Sequence, residues 1–99
     1  MPQLMLGQLA VSRAGRDKGR FMLVTKAIDS DYVYVVDGSL RKVENPKKKK
    51  LKHLKLLNKR AESIAEKIQN KRKFSNDEVR KALKKLVDTV SIDDTESQI

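Results

Sequence analysis

The sequence contains neither cysteine nor tryptophan, and only one histidine, among its 99 residues. Without thiols the chain can form no disulfide scaffold and no zinc site of the kind that needs thiolate ligands. A single histidine is too few for a transition-metal site built by the protein alone. We therefore predict that the protein holds no metal and needs no cofactor.

Long apolar stretches and catalytic motifs are also missing. Uninterrupted apolar runs are short, as at residues 21–24, whereas a helix that crosses a bilayer needs about 20 such residues. Residues 1–4 lack the basic stretch and the apolar segment of a secretory signal. No Walker or dinucleotide-binding pattern is present, and nothing places His53 beside a nucleophile or a paired acid. We expect a cytoplasmic protein that is not an enzyme and binds neither a membrane nor a small-molecule substrate.

Positive charge, in contrast, is abundant and concentrated in one fifth of the chain. The net charge is +10, and residues 41–60 alone hold ten basic side chains against one acidic, a balance of +9. Residues 1–40 balance to +1 and residues 61–99 to zero. A positive electrostatic field confined to so short a segment favours a polyanionic partner, because each phosphate that the protein neutralises releases condensed counterions. The alternative is a solvated lysine face that keeps the protein soluble.

The first half of the chain has the alternation of short β-strands separated by turns. Asp37-Gly38 is a strong hairpin signal, so a strand is expected to return immediately after it. A further short strand is expected beyond the lysine run. The pattern predicts strands at residues 7–11, 20–28, 32–36, 40–43 and 53–56. Strands of this number and length favour a small β-barrel, since closure removes exposed sheet edges.

The second half changes to a helical period. An apolar stripe at helical spacing begins at residue 58, and the polar residues 70–73 interrupt it. Ser75 and Glu78 then match a capping box, in which each side chain binds the backbone amide of the other residue. The fold class predicted is α+β: a barrel at residues 1–57, a two-helix hairpin at 58–90 and a flexible acidic tail at 91–99.

The loop at residues 15–20 suits nucleic-acid binding, because it places three basic side chains on a tight turn. These are Arg16, Lys18 and Arg20, between and beside the glycines at 15 and 19. Glycine lets the backbone take positive φ and approach a phosphate closely. The same glycines serve plain turn geometry, and both roles can hold together. The lysines at 47–52 are predicted to form a flexible arm beside the strand that carries Arg41 and Lys42.

Three aromatic side chains leave two interpretations open. Tyr32 and Tyr34 share one face of their strand, where they either stack on unpaired bases or pack beneath the helices. His53 is either an ordinary packed strand residue or a group that stacks on a base or donates to a phosphate.

The segment from residue 7 to about residue 56 resembles a KOW motif. The matching stretches are G-R-D-K-G at 15–19, M-L-V-T at 22–25, V-D-G at 36–38, R-K-V at 41–43 and K-H-L at 52–54. The segment is most similar to bacterial KOW-domain RNA-binding proteins related to the eukaryotic-type large-subunit ribosomal proteins numbered fourteen, six and twenty-seven. It departs from many KOW proteins at Phe21-Met22, where another glycine is common.

This resemblance implies an SH3-like barrel that binds RNA and associates with ribosomal RNA or the ribosome, with ribosomal proteins as possible neighbours. It implies RNA contacts at Arg16, Lys18 and Arg20, with Gly19 as the motif glycine, and at Arg41 and Lys42. Together with the charge pattern it predicts an RNA-binding set: Arg13, Arg16, Lys18, Gly19, Arg20, Arg41, Lys42, Lys47, Lys48, Lys49, Lys50, Lys52 and His53. Two alternatives stay open: a nucleic-acid-binding accessory of transcription, and an adaptor whose helical stripe docks a protein.

Overall fold

Five antiparallel strands and two helices make up residues 4–90, the part of the chain that the computed structural model describes. The flexible tail predicted at 91–99 lies outside these residues. The strands are β1 (Gln8–Ser12), β2 (Phe21–Ala27), β3 (Tyr32–Val36), β4 (Lys47–Lys50) and β5 (Leu54–Arg60). The helices are α1 (Glu62–Gln69) and α2 (Asn76–Val87), and short 3-10 turns cover Gly15–Asp17 and Leu51–His53. All strands belong to one sheet in the order β4-β3-β2-β1-β5. The predicted α+β class is confirmed.

The sheet is strongly curved. β4 and β5 lie at its opposite edges, yet only the turn Leu51–His53 links them. In a flat sheet four strand spacings would separate these edges by about 19 Å, whereas a three-residue 3-10 turn advances the chain by only about 6 Å. Backbone hydrogen bonds also join this turn to the segments beside β3 and β1. The Leu51 amide donates to the Asp31 carbonyl (2.7 Å), and the His53 carbonyl accepts from the Arg13 amide (2.8 Å).

No ladder joins β4 to β5 within residues 4–90. The structure there is thus a curled, unclosed sheet rather than the closed barrel that the strand count predicts. β4 has only four residues, and the short turn after it brings the two edges of the sheet near each other. Backbone groups of the turn, however, form hydrogen bonds to other segments and so do not form a direct ladder between β4 and β5.

Alternating side chains bury two apolar layers, one on each face of the sheet. Along β2, Met22 and Val24 belong to a cluster within the curled sheet, and Leu23 belongs to a cluster that contacts the helices. The helix-facing cluster also contains Ile64 of α1 and Val79 of α2. The helices are therefore packed on the sheet through a shared core, and neither helix of residues 4–90 is long and apolar enough to cross a membrane.

The local patterns predicted several elements well. The strands at 7–11, 20–28 and 32–36 match β1, β2 and β3 within two residues. The capping box is present: the Ser75 hydroxyl accepts from the Glu78 amide at 3.1 Å, and the Glu78 carboxylate accepts from the Ser75 amide at 2.7 Å. The first helix begins at Glu62 rather than at residue 58, because β5 continues to Arg60 in register with Gln8.

One strand prediction was wrong. Residues 40–43 form a loop, because side chains take the amides that a ladder would use. Asp37 Oδ1 accepts from the amides of Ser39 and Arg41 (both 2.8 Å), and Asn76 Oδ1 accepts from the Val43 amide (2.8 Å). The strand predicted at 53–56 is present as the start of β5, which begins one residue later, at Leu54, because His53 lies in the 3-10 turn.

The lysine run is not a flexible arm. It forms the edge strand β4, antiparallel to β3, with Tyr32 opposite Lys50 and Tyr34 opposite Lys48. Lysine has a low intrinsic preference for strands, but that preference depends on context. Here the stem of Lys49 is buried, and lysines on an edge strand also prevent pairing with other chains.

Candidate nucleic-acid interface

An open groove of about 470 Å³ lies where the first 3-10 turn, β4 and the loop after β3 meet. Among residues 4–90, six lysine or arginine side chains and one histidine line it, against a single acid. We call it the lysine groove; its lining residues are Gly15, Arg16, Asp17, Tyr32, Arg41, Lys47, Lys48, Lys49, Lys50 and His53. The structure thus brings together seven of the thirteen predicted RNA-binding residues: Arg16, Arg41, Lys47, Lys48, Lys49, Lys50 and His53.

The other predicted residues lie outside the lining of the groove. They are Arg13, Lys18, Gly19, Arg20, Lys42 and Lys52, and all are exposed. Gly19 has a φ of +85° with open space around it, so the turn itself requires the glycine, as predicted. Among these cations, Arg13, Lys18, Lys42 and Lys52 form no ion pair within residues 4–90.

Asp17 holds the walls of the groove together. Its carboxylate is almost fully buried, with 2% of the side chain exposed. Oδ2 accepts from Arg41 Nε at 3.2 Å and from Arg41 Nη2 at 3.0 Å. Lys49 Nζ lies 4.0 Å from the same oxygen and donates to the Ala14 carbonyl at 3.1 Å. One carboxylate therefore connects the loop at 15–20, the loop after β3 and the edge strand.

Asp37 fixes the loop that carries Arg41. Besides accepting from two loop amides through Oδ1, it receives Arg20 Nη1 on Oδ2 at 3.1 Å. Asp37 is 5% exposed and Arg20 is 44% exposed. The guanidinium group of Arg20 therefore reaches solvent while the buried carboxylate of Asp37 fixes its position. A charged pair with one buried member orients the exposed member. Arg20 and Arg41 are both held in this way.

The N-terminal end of α2 supports the same loop. Asn76 binds the Val43 amide and also donates to the Glu44 carboxylate at 2.6 Å, and the Arg80 guanidinium donates to the Gly38 carbonyl. Gly38 has a φ of +79°, and a Cβ there would lie 2.5 Å from the Asn76 carbonyl oxygen. The chain packs too closely at this point for any side chain.

Sequence patterns missed these support residues. The pattern marks Asp17 only as one position of the loop at 15–20 and relates neither helix to the interface. The signal that could have found Asp17 is its place as a lone acid between Arg16 and Lys18, since an acid inside a basic loop is often an internal partner. No local signal relates Asn76 to Val43, 33 positions away.

Tyr32 lines the groove and does not lie beneath the helices. Lys48 Nζ is 4.7 Å from the centre of the Tyr32 ring, and Lys50 Nζ is 5.8 Å from it, so both ammonium groups make cation–π contacts. Tyr34 is half-buried and is not among the residues that line the groove. Only one of the two tyrosines is therefore placed to meet a ligand in the groove.

Three cations of the helical half are matched by acids within residues 4–90. Lys67 pairs with Glu78, and Arg80 and Lys81 pair with Asp77. The hydrogen bond from Lys67, followed by that from the Ser75 amide, lowers the pKa of Glu78 below 4.5. The hydrogen bond from Lys81 lowers the pKa of Asp77 below 3.8. At neutral pH these acids are ionised and offset the charge of α2.

No known protein-family model matches this chain. The candidate interface is thus defined by its own geometry: a basic groove on a curled sheet, held from inside by two buried carboxylates.

Proposed function

We propose that this protein binds RNA, with ribosomal RNA as the expected partner, through the lysine groove and the neighbouring loop at residues 15–20. The observation that carries the proposal is the excess of unmatched cations in the groove. Arg16, Lys47, Lys48 and Lys50 line it without an ion pair within residues 4–90, and Asp17, its only acid, is engaged with Arg41.

Phosphate contacts supply most of the affinity in this proposal, because each contact releases counterions from the RNA. The groove is held in shape before binding by Asp17 and Asp37, so less side-chain order has to be gained on association. Discrimination among structured RNAs then comes from the spacing of phosphates around folded strands, that is, from RNA shape.

We further propose that the curled sheet is an SH3-like, KOW-type fold and that the protein acts in the cytoplasm on the ribosome. The support is the residue pattern G-R-D-K-G at 15–19, the placement of that stretch beside the lysine groove, and the approach of the two sheet edges. Arg41 and Lys42 lie on a loop rather than on a strand, so in this proposal they contact RNA from a braced loop.

Binding of the purified chain to ribosomal RNA fragments across a salt series tests the proposal. Contact with five to six phosphates predicts that log affinity falls against log salt with a slope of about −4 to −5. A flat salt dependence would contradict the electrostatic mechanism.

Co-sedimentation with ribosomes tests the partner. The protein is expected in the ribosomal fraction at moderate salt and is expected to leave it as the salt rises. RNA binding in vitro without any presence on ribosomal particles would favour the transcription accessory over the ribosome-associated protein.

A further inference from the structure

In the described part of the chain, one oxygen of the groove's only acid has no hydrogen-bond partner. Asp17 Oδ1 is buried and accepts no bond, although Oδ2 of the same carboxylate is fully used by Arg41. Buried polar atoms in proteins almost always have a partner, so an orphan acceptor at a ligand groove calls for a donor. Lys49 does not supply it, because its ammonium group donates to the Ala14 carbonyl and lies beside Oδ2.

The missing donor is not a phosphate. A phosphate oxygen carries negative charge and would be repelled by the carboxylate, although the surrounding lysines attract phosphates to the rim. Within an RNA ligand, the groups that can donate to a carboxylate are the N–H groups on base edges and the ribose hydroxyls. The base edge is favoured here, because the groove also presents the Tyr32 ring as a surface for stacking.

We propose that the lysine groove receives one unpaired nucleobase that carries an exocyclic amine, and that Asp17 Oδ1 accepts a hydrogen bond from this amine. The inference rests on the proposed RNA binding and adds a base preference to it. Adenine, cytosine and guanine bear such an amine. Uracil has none, and its single ring N–H lies between two carbonyl oxygens that a carboxylate repels.

The dimensions and the neighbouring side chains suit this ligand. A volume of about 470 Å³ falls within the range of about 300–1,000 Å³ typical of small-molecule sites. Entry of a base requires the long lysine side chains of the groove to rotate aside, a rapid motion that leaves the backbone in place. Lys48 and Lys50, now over the Tyr32 ring, then contact the phosphates that flank the base.

Oligomers of cytidine and uridine of equal length test the inference, since they differ chiefly in the amine and have the same number of phosphates. The wild-type protein is expected to bind oligo(C) about threefold to tenfold more tightly than oligo(U), the effect of one hydrogen bond. An oligomer of 2-pyrimidinone riboside, which lacks the amine, is expected to lose the preference. This measurement needs no variant.

The variant D17N sharpens the test. An amide of the same size can keep its oxygen on Arg41 and present its NH₂ group to the base, so the preference is expected to vanish or shift to oligo(U). The control is D88N, the same change at an exposed acid at the C-terminal end of α2, outside the lining of the groove, and it is expected to retain the preference for oligo(C). Thermal melting establishes that both variants fold.

The outcomes separate the inference from the proposed function. Equal binding of oligo(C) and oligo(U) by the wild type, or an equal loss for both in D17N, overturns the base site while RNA binding stands. Binding to folded ribosomal RNA but to neither oligomer also overturns the base site alone. Failure to bind any RNA overturns the proposed function, and the base site with it.

Discussion

The lysine groove and the start of α2 differ in how far their cations are matched by acids. On α2 and its contact with α1, three cations are matched by Asp77 and Glu78. In the lysine groove, six cations line a space to which residues 4–90 contribute one acid. The comparison shows that the number of lysines says little by itself: only cations without an internal partner have their full charge available for a polyanion.

The two regions are nevertheless one structure, because α2 braces the loop that carries Arg41. Asn76 and Arg80 bind that loop, and Gly38 lies against the Asn76 carbonyl. The helical half therefore acts on the interface by support, and the sheet supplies the contacts. The following predictions test this division of roles between the helices, which support the interface, and the sheet, which contacts the ligand.

The largest effect is expected where the two regions touch. Gly38→Ala places a methyl group 2.5 Å from the Asn76 carbonyl oxygen at a φ of +79°, which combines overpacking with left-handed strain. We expect a loss of about 2–5 kcal/mol in the free energy of unfolding, measured by urea denaturation.

Gly19→Ala is the matched control, since Gly19 has a similar φ of +85° but nothing within 4 Å of the added atom. We expect a loss of about 1–2 kcal/mol, from the backbone conformation alone. Equal losses for the two variants would show that the helix does not press on the loop at Gly38.

The next effect separates exposed cations of the groove from exposed cations on α2. The double variant K47Q/K48Q removes two exposed cations of the groove and is expected to weaken RNA binding at least about tenfold and to reduce the salt slope by about 2. Fluorescence anisotropy with a labelled ribosomal RNA fragment measures both quantities.

K84Q/K85Q removes the same charge from two exposed positions on α2, and we expect its affinity to stay within about threefold of the wild type because it removes no direct phosphate contact. If both double variants weaken binding alike, the groove is not the interface. Retention of cellular protein partners by K47Q/K48Q, together with normal RNA affinity, would favour the adaptor alternative.

The smallest effect concerns the helical half alone and depends on pH. The pKa of Glu78 is lowered in the folded protein, so its stabilising contribution is present above the unfolded value of 4.5 and is lost as the pH falls below it. The melting temperature is expected to decrease between about pH 6 and about pH 3, and less so in E78Q. The same pH dependence in both proteins would assign the effect to other carboxylates.

Local patterns were sufficient for much of the fold. Alternation places Met22 and Leu23 in different apolar layers, and the capping box marks the start of α2 at Asn76. Both features depend on residues only a few positions apart, so they can be recognised from one sequence alone. β4 could not be predicted in this way, because lysine has little tendency to form strands and only its place beside β3 makes one.

The sequence by itself determined the charge of the molecule, the glycine turn at 15–20 and the alternation that builds the sheet. The tertiary structure alone decided which cations meet and which are neutralised. Asp17 reaches Arg41 across 24 positions and Lys49 across 32, and Asn76 holds a loop 33 positions before it. Such contacts arise because curling of the sheet brings distant segments together, and their partners are set by burial and distance rather than by neighbouring residues in the chain.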